Sequence, residues 1–225
     1  MSLIVFDLDG TLIDSRRDLA DAANALIAER GGAPLAEETI GRMVGDGAAA
    51  LVRRALTAAA VPLDESSVPR FLELYDARLL RTTRAYPGIP EALSALQQHG
   101  ALAVLTNKPL AHTRTLLAAL DLASFFGSVI GGDGPFARKP DPAGLQHLMA
   151  EHRMQPSRTI MVGDSPIDAA TARAAGTAFC LAAYGFGVPN PAPPSDAVLV
   201  TSEELPTAIR RLLPDVDSGR VKDLQ

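Results

Sequence analysis

The chain has 225 residues, of which 47% are hydrophobic, 21% charged and 4% aromatic, a composition typical of a compact globular protein. This length is sufficient for one large domain, or a domain with a substantial insertion, around a real hydrophobic core. The formal net charge of −5 argues against a general nucleic-acid or anionic-membrane binder, because an acidic surface repels both partners.

The amino terminus and the single cysteine point to an intracellular protein. No basic segment followed by a long apolar run opens the chain, and no stretch approaches about 18 apolar residues. Cys180 lies in an apolar run and has no partner for an internal disulfide, so we expect it in the core. The predicted location is the cytoplasm, with neither a membrane nor a nucleic acid as partner.

The first predicted element is a short apolar strand, Leu3–Phe6, that runs directly into the sequence Asp-Leu-Asp-Gly-Thr. Two neighbouring carboxylates, Asp7 and Asp9, therefore follow a buried strand, with Gly10 behind them. Like charges at such a place require a cation, a proton or a catalytic use. A solvated Asp-Gly turn that closes a hairpin is the alternative for this segment taken alone.

The next interval contains helical patterns and no convincing strand. We predict an all-helical insertion over residues 14–83, while residues 1–13 and 84–225 form the remaining domain. The predicted helices cover Arg16–Glu29, Glu37–Val44, Ala48–Ala60 and Glu65–Leu80.

Beyond this interval, apolar strand patterns alternate with helical ones, which predicts an α/β fold with a doubly wound parallel sheet. The predicted strands are Ala101–Leu105, Ser128–Ile130, Thr159–Val162, Ala178–Leu181 and Ala197–Val200. The predicted helices are Pro90–Gln98, Pro109–Leu120, Asp141–Glu151, Pro166–Ala175 and Glu203–Leu213. Asp141 and Asp164 are predicted to cap the helices that follow them.

In such a sheet, ligands bind beyond the carboxyl ends of the strands, so the residues at each strand exit are the candidates for a site. The second strand of the sheet runs into Thr106, Asn107 and Lys108, and the fourth runs into a Gly-Asp-Ser-x-x-Asp segment. Between them Lys139, one of only three lysines, precedes a proline at a predicted helix start. Each signal is weak alone, because such residues usually form turns or surface.

Together these segments resemble the four motifs of the haloacid dehalogenase superfamily of aspartate-nucleophile phosphohydrolases, and the resemblance covers essentially the whole chain. Motif one corresponds to Asp7–Leu12, motif two to Thr106, motif three to Lys139 and motif four to Gly163–Asp168. The helical interval resembles the C1 cap that this superfamily inserts after motif one.

The resemblance implies a phosphatase that acts on a small phosphorylated metabolite. Asp7 would attack phosphorus and form an aspartyl-phosphate, and Asp9 would serve as general acid and then as general base. Thr106 and Lys139 would stabilise the phosphoryl oxygens, with Asn107 and the backbone around Gly10 as further donors.

The same resemblance implies a Mg²⁺ site. Its ligands would be the carboxylates of Asp7 and Asp164 together with the backbone carbonyl of Asp9. Asp168 and Ser165 would act from behind these ligands, with Asp168 orienting Lys139 or metal-bound water.

A glycine-bearing loop in the helical interval, Val44-Gly45-Asp46-Gly47, resembles the cap loop of phosphoglycolate phosphatases. Free backbone amides at a helix start would suit a substrate carboxylate, although a plain helix-to-helix turn is the alternative. Arg53 and Arg54 could reach a substrate anion or could face solvent.

We therefore expect a 2-phosphoglycolate phosphatase. The alternatives are a sugar-phosphate phosphatase, then a phosphomutase, then a catalytically silent phosphate-binding module.

Overall fold

The computed structural model describes residues 1–186, 192–199 and 201–213. Its strands are β1 (Ser2–Phe6), β2 (Ile13–Asp14), β3 (Arg84–Ala85), β4 (Gly100–Leu105), β5 (Ser128–Ile130), β6 (Thr159–Gly163), β7 (Ala178–Ala182) and β8 (Ala197–Leu199). Its helices are α1 (Arg16–Glu29), α2 (Glu37–Gly41), α3 (Ala48–Ala58), α4 (Ser67–Asp76), α5 (Ile89–Leu96), α6 (Leu110–Ala119), α7 (Ala143–Glu151), α8 (Pro166–Ala175) and α9 (Leu205–Leu212). Val200, the last residue of one predicted strand, lies outside the described residues.

Six of the described strands form one parallel sheet in the order β5-β4-β1-β6-β7-β8. The strand β1 lies in the middle, paired on one side with β4 and on the other with β6. The chain moves outwards from β1 in both directions, which is the doubly wound topology that the alternation of strands and helices predicts. The predicted α/β fold class is confirmed.

Helices cover both faces of the sheet because the side chains of β1 alternate between two apolar cores. Ile4 and Phe6 face a core that also includes buried residues of α1, α3, α4, α5 and α9. Leu3 and Val5 face a second core, which is built with α7 and α8. All four side chains are fully buried, as expected for a strand covered on both faces.

The helices α1 to α4 occupy the interval between β2 and β3, and the two short strands pair antiparallel. Ile13 pairs with Ala85 and Asp14 pairs with Arg84, so the chain leaves and re-enters the α/β part at adjacent points. The division into a cap of residues 14–83 and a core stays a prediction.

Helix boundaries differ from the predicted ones at several places. Helix α2 ends at Gly41, three residues before the predicted end, because the following amides of Met43 and Val44 bond to carbonyls three residues back and tighten the last turn. Pro142 directly precedes α7, but Asp141 Oδ1 accepts a hydrogen bond of 2.9 Å from the amide of Ala143, the first residue of that helix. The cap predicted at Asp164 is wrong, because Ser165 caps α8. Among the described helices, none is long and apolar enough to cross a membrane.

Candidate active site

The candidate site lies where three neighbouring strands, β4, β1 and β6, end at the same edge of the sheet. The backbone amide of Asp7 bonds to the carbonyl of Val162 at 2.9 Å, which fixes the residue at the exit of β1. The amide of Thr106 bonds to the carbonyl of Ile130 at 3.0 Å and fixes the exit of β4 in the same way. The topology thus brings motifs one, two and four of the sequence together.

Lys139 forms the centre of a buried ion cluster at this edge. Its Nζ lies 2.8 Å from Asp7 Oδ1 and 2.6 Å from Asp168 Oδ1, and the lysine side chain is only 2% exposed. Burial opposes the charged ammonium, but the attraction of Asp168 and Asp7 outweighs it and raises the pKa of Lys139 above its ordinary value. Lys139 is therefore held as a cation beside Asp7.

Burial raises the pKa of Asp7 to about 6, against the attraction of Lys139. Burial, followed by repulsion from Asp168 and Asp7, likewise raises the pKa of Asp164. Both carboxylates are thus buried at high cost, and repulsion from neighbouring carboxylates adds to that cost. A divalent cation at this place would relieve it.

The carboxylates of Asp7, Asp164 and Asp168 each offer an oxygen, and these oxygens lie within 4.8 Å of one another. Asp168 is already engaged: one oxygen contacts Lys139, and the other accepts a hydrogen bond of 2.6 Å from Ser165 Oγ. Asp7 Oδ1 accepts no well-aligned hydrogen bond within the described part of the chain. Lys139 is its charged neighbour there. A cluster of buried carboxylate oxygens, all of them hard donors, fits a hard divalent cation.

Ser165 and Asp168 form a capping box at the start of α8. The amide of Asp168 donates to Ser165 Oγ, while the Asp168 carboxylate accepts from the amide and the hydroxyl of Ser165. The helix start therefore orients the carboxylate that contacts Lys139. The indirect role that the resemblance implies for both residues stays a prediction.

Two glycines leave room for Asp164. Gly10 has a φ of +83°, and a Cβ on it would lie 2.1 Å from Asp164 Oδ2. A Cβ on Gly185 would lie 2.7 Å from the same oxygen and 2.3 Å from the carbonyl oxygen of Gly10. The amide of Phe186 donates to Asp164 Oδ2 at 3.0 Å. The carboxylate is thus enclosed by backbone on two sides.

Asp9 contacts a lysine whose role the sequence left unassigned. Lys108 Nζ donates to both carboxylate oxygens of Asp9 at 2.9 and 3.0 Å, and to Tyr75 Oη at 2.8 Å. Ser15 Oγ donates to Asp9 Oδ1 as well. In the sequence, Lys108 stands out as a rare lysine at a strand exit. Tyr75 follows the apolar periodicity of α4, so the sequence predicts only a core residue there.

The side chain of Asn107 makes three hydrogen bonds to backbone groups around the site. Its Nδ2 donates to the carbonyls of Gly45 and Lys139, both at 2.9 Å, and its Oδ1 accepts from the amide of Lys139 at 2.9 Å. One side chain therefore connects the β4 exit, the loop of Lys139 and the glycine loop of the helical interval. The role of Asn107 as a donor to phosphoryl oxygens stays a prediction.

The glycine loop faces the site in part. Gly45 and Gly47 line a cavity of about 40 Å³ together with Asp7 and Asp9. The Asp46 side chain instead pairs with Arg54, whose Nη1 also donates to the carbonyl of Met43 at 2.9 Å. Arg54 therefore stabilises the loop from behind, and Arg53 is exposed.

Residues 4–182 match the family model of the haloacid dehalogenase-like hydrolases. A phosphoglycolate phosphatase of Rhodospirillum rubrum is 42% identical over 192 residues, which cover 81% of this chain and 80% of the relative. One of Cereibacter sphaeroides is 38% identical over 216 residues, covering 93% and 98%. The crystal structure of a predicted phosphoglycolate phosphatase from Haemophilus somnus superimposes with a TM-score of 0.84 at 30% identity, covering 91% of this chain and 96% of that one.

The match spans the strand exits that carry Asp7, Thr106 and Asp164 and the loop before α7 that carries Lys139. The structure places these four residues at one edge of the sheet, as the order of the motifs predicts. The chain therefore belongs to the haloacid dehalogenase-like hydrolases.

Proposed function

We propose that this protein is a Mg²⁺-dependent phosphatase that hydrolyses 2-phosphoglycolate through an aspartyl-phosphate on Asp7. The observation that carries the proposal is the placement of Asp7 at the exit of the central strand, 2.8 Å from the buried ammonium of Lys139. A carboxylate nucleophile needs neighbouring positive charge, because the phosphoryl group that it attacks is itself anionic.

In the proposed reaction Asp7 displaces the leaving alkoxide, and Asp9 donates a proton to it. Asp9 then takes a proton from the water that hydrolyses the aspartyl-phosphate. Lys139 and Thr106 neutralise and hydrogen-bond the phosphoryl oxygens, while Asp168 keeps Lys139 in position. Dividing one difficult displacement into two steps is the advantage of covalent catalysis.

Asp7 and Asp164, with the backbone carbonyl of Asp9, are the proposed Mg²⁺ ligands. When bound, the cation would hold the phosphate against Asp7 and offset the mutual repulsion of the carboxylates. The clustering of the Asp7, Asp164 and Asp168 oxygens within 4.8 Å of one another supports this assignment, because buried carboxylates so close together repel each other unless a cation lies between them.

Two observations support a small substrate. The curated relatives at 36–42% identity carry the name phosphoglycolate phosphatase, and the cavity beside Asp7 and Asp9 has a volume of about 40 Å³, room for only a few water molecules. We also propose that residues 14–83 act as a cap. Contacts from Asn107 to Gly45 and from Lys108 to Tyr75 hold that interval against the α/β core.

The test combines rapid quench with a substrate panel. ³²P from labelled 2-phosphoglycolate should appear on Asp7 within one turnover, and Asp7→Asn should abolish the label and lower kcat by about 10³-fold or more. Asp21→Asn, which changes a half-exposed carboxylate on α1, is the matched control. An active Asp7→Asn enzyme would refute the mechanism. A wild-type kcat/KM that is higher for hexose phosphates than for 2-phosphoglycolate would identify a sugar-phosphate phosphatase instead.

A further inference from the structure

Lys108 is a buried cation with all of its donors in use. Its side chain is 5% exposed, and its three N–H groups are accounted for by two contacts to Asp9 and one to Tyr75. The ammonium also lies 4.7 Å from the centre of the Tyr75 ring, within the range of a cation–π contact. Asp9 and Lys108 belong to the α/β part of the chain, whereas Tyr75 lies on α4 of the helical interval.

The cavity beside Asp9 places Lys108 opposite an apolar wall. The helical interval contributes mainly hydrophobic side chains to it, among them Leu19, Val44, Ala48, Leu51, Phe71 and Leu72. Within the described lining, Lys108 is the only lysine or arginine. A negatively charged leaving group that enters this cavity would therefore find its counter-ion in Lys108.

Other basic groups near the cavity have partners of their own. Arg138, beside Gly47, donates from Nε to the carbonyl of Gly132 at 2.6 Å. Lys139 contacts Asp7 and Asp168 on the phosphate side. His112 Nε2 lies 2.6 Å from Asp76 Oδ1. The sequence left open whether Arg54 reaches a substrate anion. In the structure it pairs with Asp46 at the back of the loop.

Covalent geometry places a short acidic leaving group at Lys108. Asp9 must meet the ester oxygen of the substrate, and in 2-phosphoglycolate the carboxylate is separated from that oxygen by a single methylene. Since both oxygens of Asp9 lie about 3 Å from Lys108 Nζ, a carboxylate so close to the ester oxygen would lie within reach of the same ammonium.

We infer that Lys108 is the specificity-determining residue of this phosphatase, exchanging its contact with Asp9 for the carboxylate of the leaving group while Tyr75 keeps the ammonium in place. The inference rests on the proposed function and deepens it. An ammonium in an apolar cavity keeps its stabilisation only if one carboxylate replaces the other. A neutral leaving group would offer no replacement, and a cationic one would be repelled.

The experiment compares three leaving groups of similar size and different charge. The substrates are 2-phosphoglycolate, 2-hydroxyethyl phosphate and phosphoethanolamine, whose leaving groups are anionic, neutral and cationic. The wild-type kcat/KM should fall in that order. Lys108→Met should lower the ratio of kcat/KM for 2-phosphoglycolate over 2-hydroxyethyl phosphate by at least about 30-fold, as expected when one partner of a buried ion pair is lost.

Two further variants and one control separate charge recognition from support of Asp9. Lys108→Gln keeps amide donors for Asp9 and Tyr75 but not the charge, so the ratio should fall as in Lys108→Met even if the methionine variant folds poorly. Lys108→Arg should retain most of the preference. Arg53→Met removes the same charge from the exposed face of α3 and should leave the ratio unchanged.

The outcomes distinguish the two proposals. A wild-type enzyme with no preference for the anionic leaving group would overturn the proposed substrate. A clear wild-type preference that survives in both Lys108→Met and Lys108→Gln, with equal losses on all three substrates, would overturn the role of Lys108 and leave the proposed function intact.

Discussion

Replacing Gly10 by alanine should disable the candidate metal site while the fold is retained. The added Cβ would lie 2.1 Å from Asp164 Oδ2, whereas ordinary contacts begin near 3.4 Å, so the carboxylate would have to move by about 1 Å or more. It has little room to do so, because the amide of Phe186 holds the same oxygen and Gly185 packs against it.

Two contributions to the expected effect can be estimated. An L-residue at the positive φ of Gly10 costs roughly 1–2 kcal/mol in the free energy of unfolding. Displacement of a reacting or metal-binding group by about 1 Å can cost about 10²-fold in rate. We therefore expect a modestly less stable protein with kcat/KM lowered by about 10²-fold and a higher Mg²⁺ requirement.

Gly31→Ala is the matched control, because Gly31 has a φ of +77° and a Cβ there would meet nothing within 4 Å. Urea unfolding and Mg²⁺ titrations of kcat/KM should be measured for both variants. Similar losses of stability with a catalytic defect only in Gly10→Ala would support the reasoning. If both variants show the same Mg²⁺ dependence and activity, close packing on Asp164 is not what Gly10 provides.

Three more predictions concern single side chains. Asp164→Ala should raise the Mg²⁺ concentration for half-activation at least about tenfold, and undiminished wild-type activity in EDTA would refute a metal site. Asp18, fully buried, accepts hydrogen bonds from the amides and hydroxyls of Thr82 and Thr83. These bonds outweigh burial and hold the pKa of Asp18 below its usual range. Its stabilisation is therefore present above about pH 4 and is lost as pH falls through the folded pKa. Asp18→Asn should cost about 2–3 kcal/mol in urea unfolding at pH 7, and a deficit that does not shrink under acid conditions would contradict this account. Burial raises the pKa of Cys180 to about 12, so iodoacetamide at about pH 8 should label it only after unfolding, as followed by mass spectrometry.

Much of the α/β part could be predicted because its signals are local. A strand buried on both faces is mostly apolar, and β1, β4 and β6 each contain an apolar run of at least three residues, so their exits could be located from the sequence. Asp7, Thr106 and Asp164 then had to meet at one edge, since parallel strands end together. The order of the family motifs along the chain then indicated which strand exit or loop carries each site residue.

Other parts of the site depend on contacts between distant segments and left little trace in the sequence. Tyr75 follows the apolar periodicity of α4, and only the packing of that helix against β4's exit turns its hydroxyl to Lys108. The prediction that Asp164 caps α8 was wrong. Its carboxylate points towards Gly10 and cannot also face the first amides of the helix, which Ser165 caps instead. The pairing of β2 with β3 involves two residues on each side, too few for any periodic signal.

That pairing also bears on how such a chain can change over evolutionary time. Because Asp14 lies opposite Arg84 in an antiparallel ladder, everything between them is topologically the loop of a very short hairpin. A hairpin can close with a turn of about two residues, so the α/β scaffold imposes no length on what is inserted there. Lineages could exchange, shrink or enlarge the inserted segment at this junction without altering the register of β1, β4 and β6, and substrate range could diverge while the hydrolytic chemistry stays fixed.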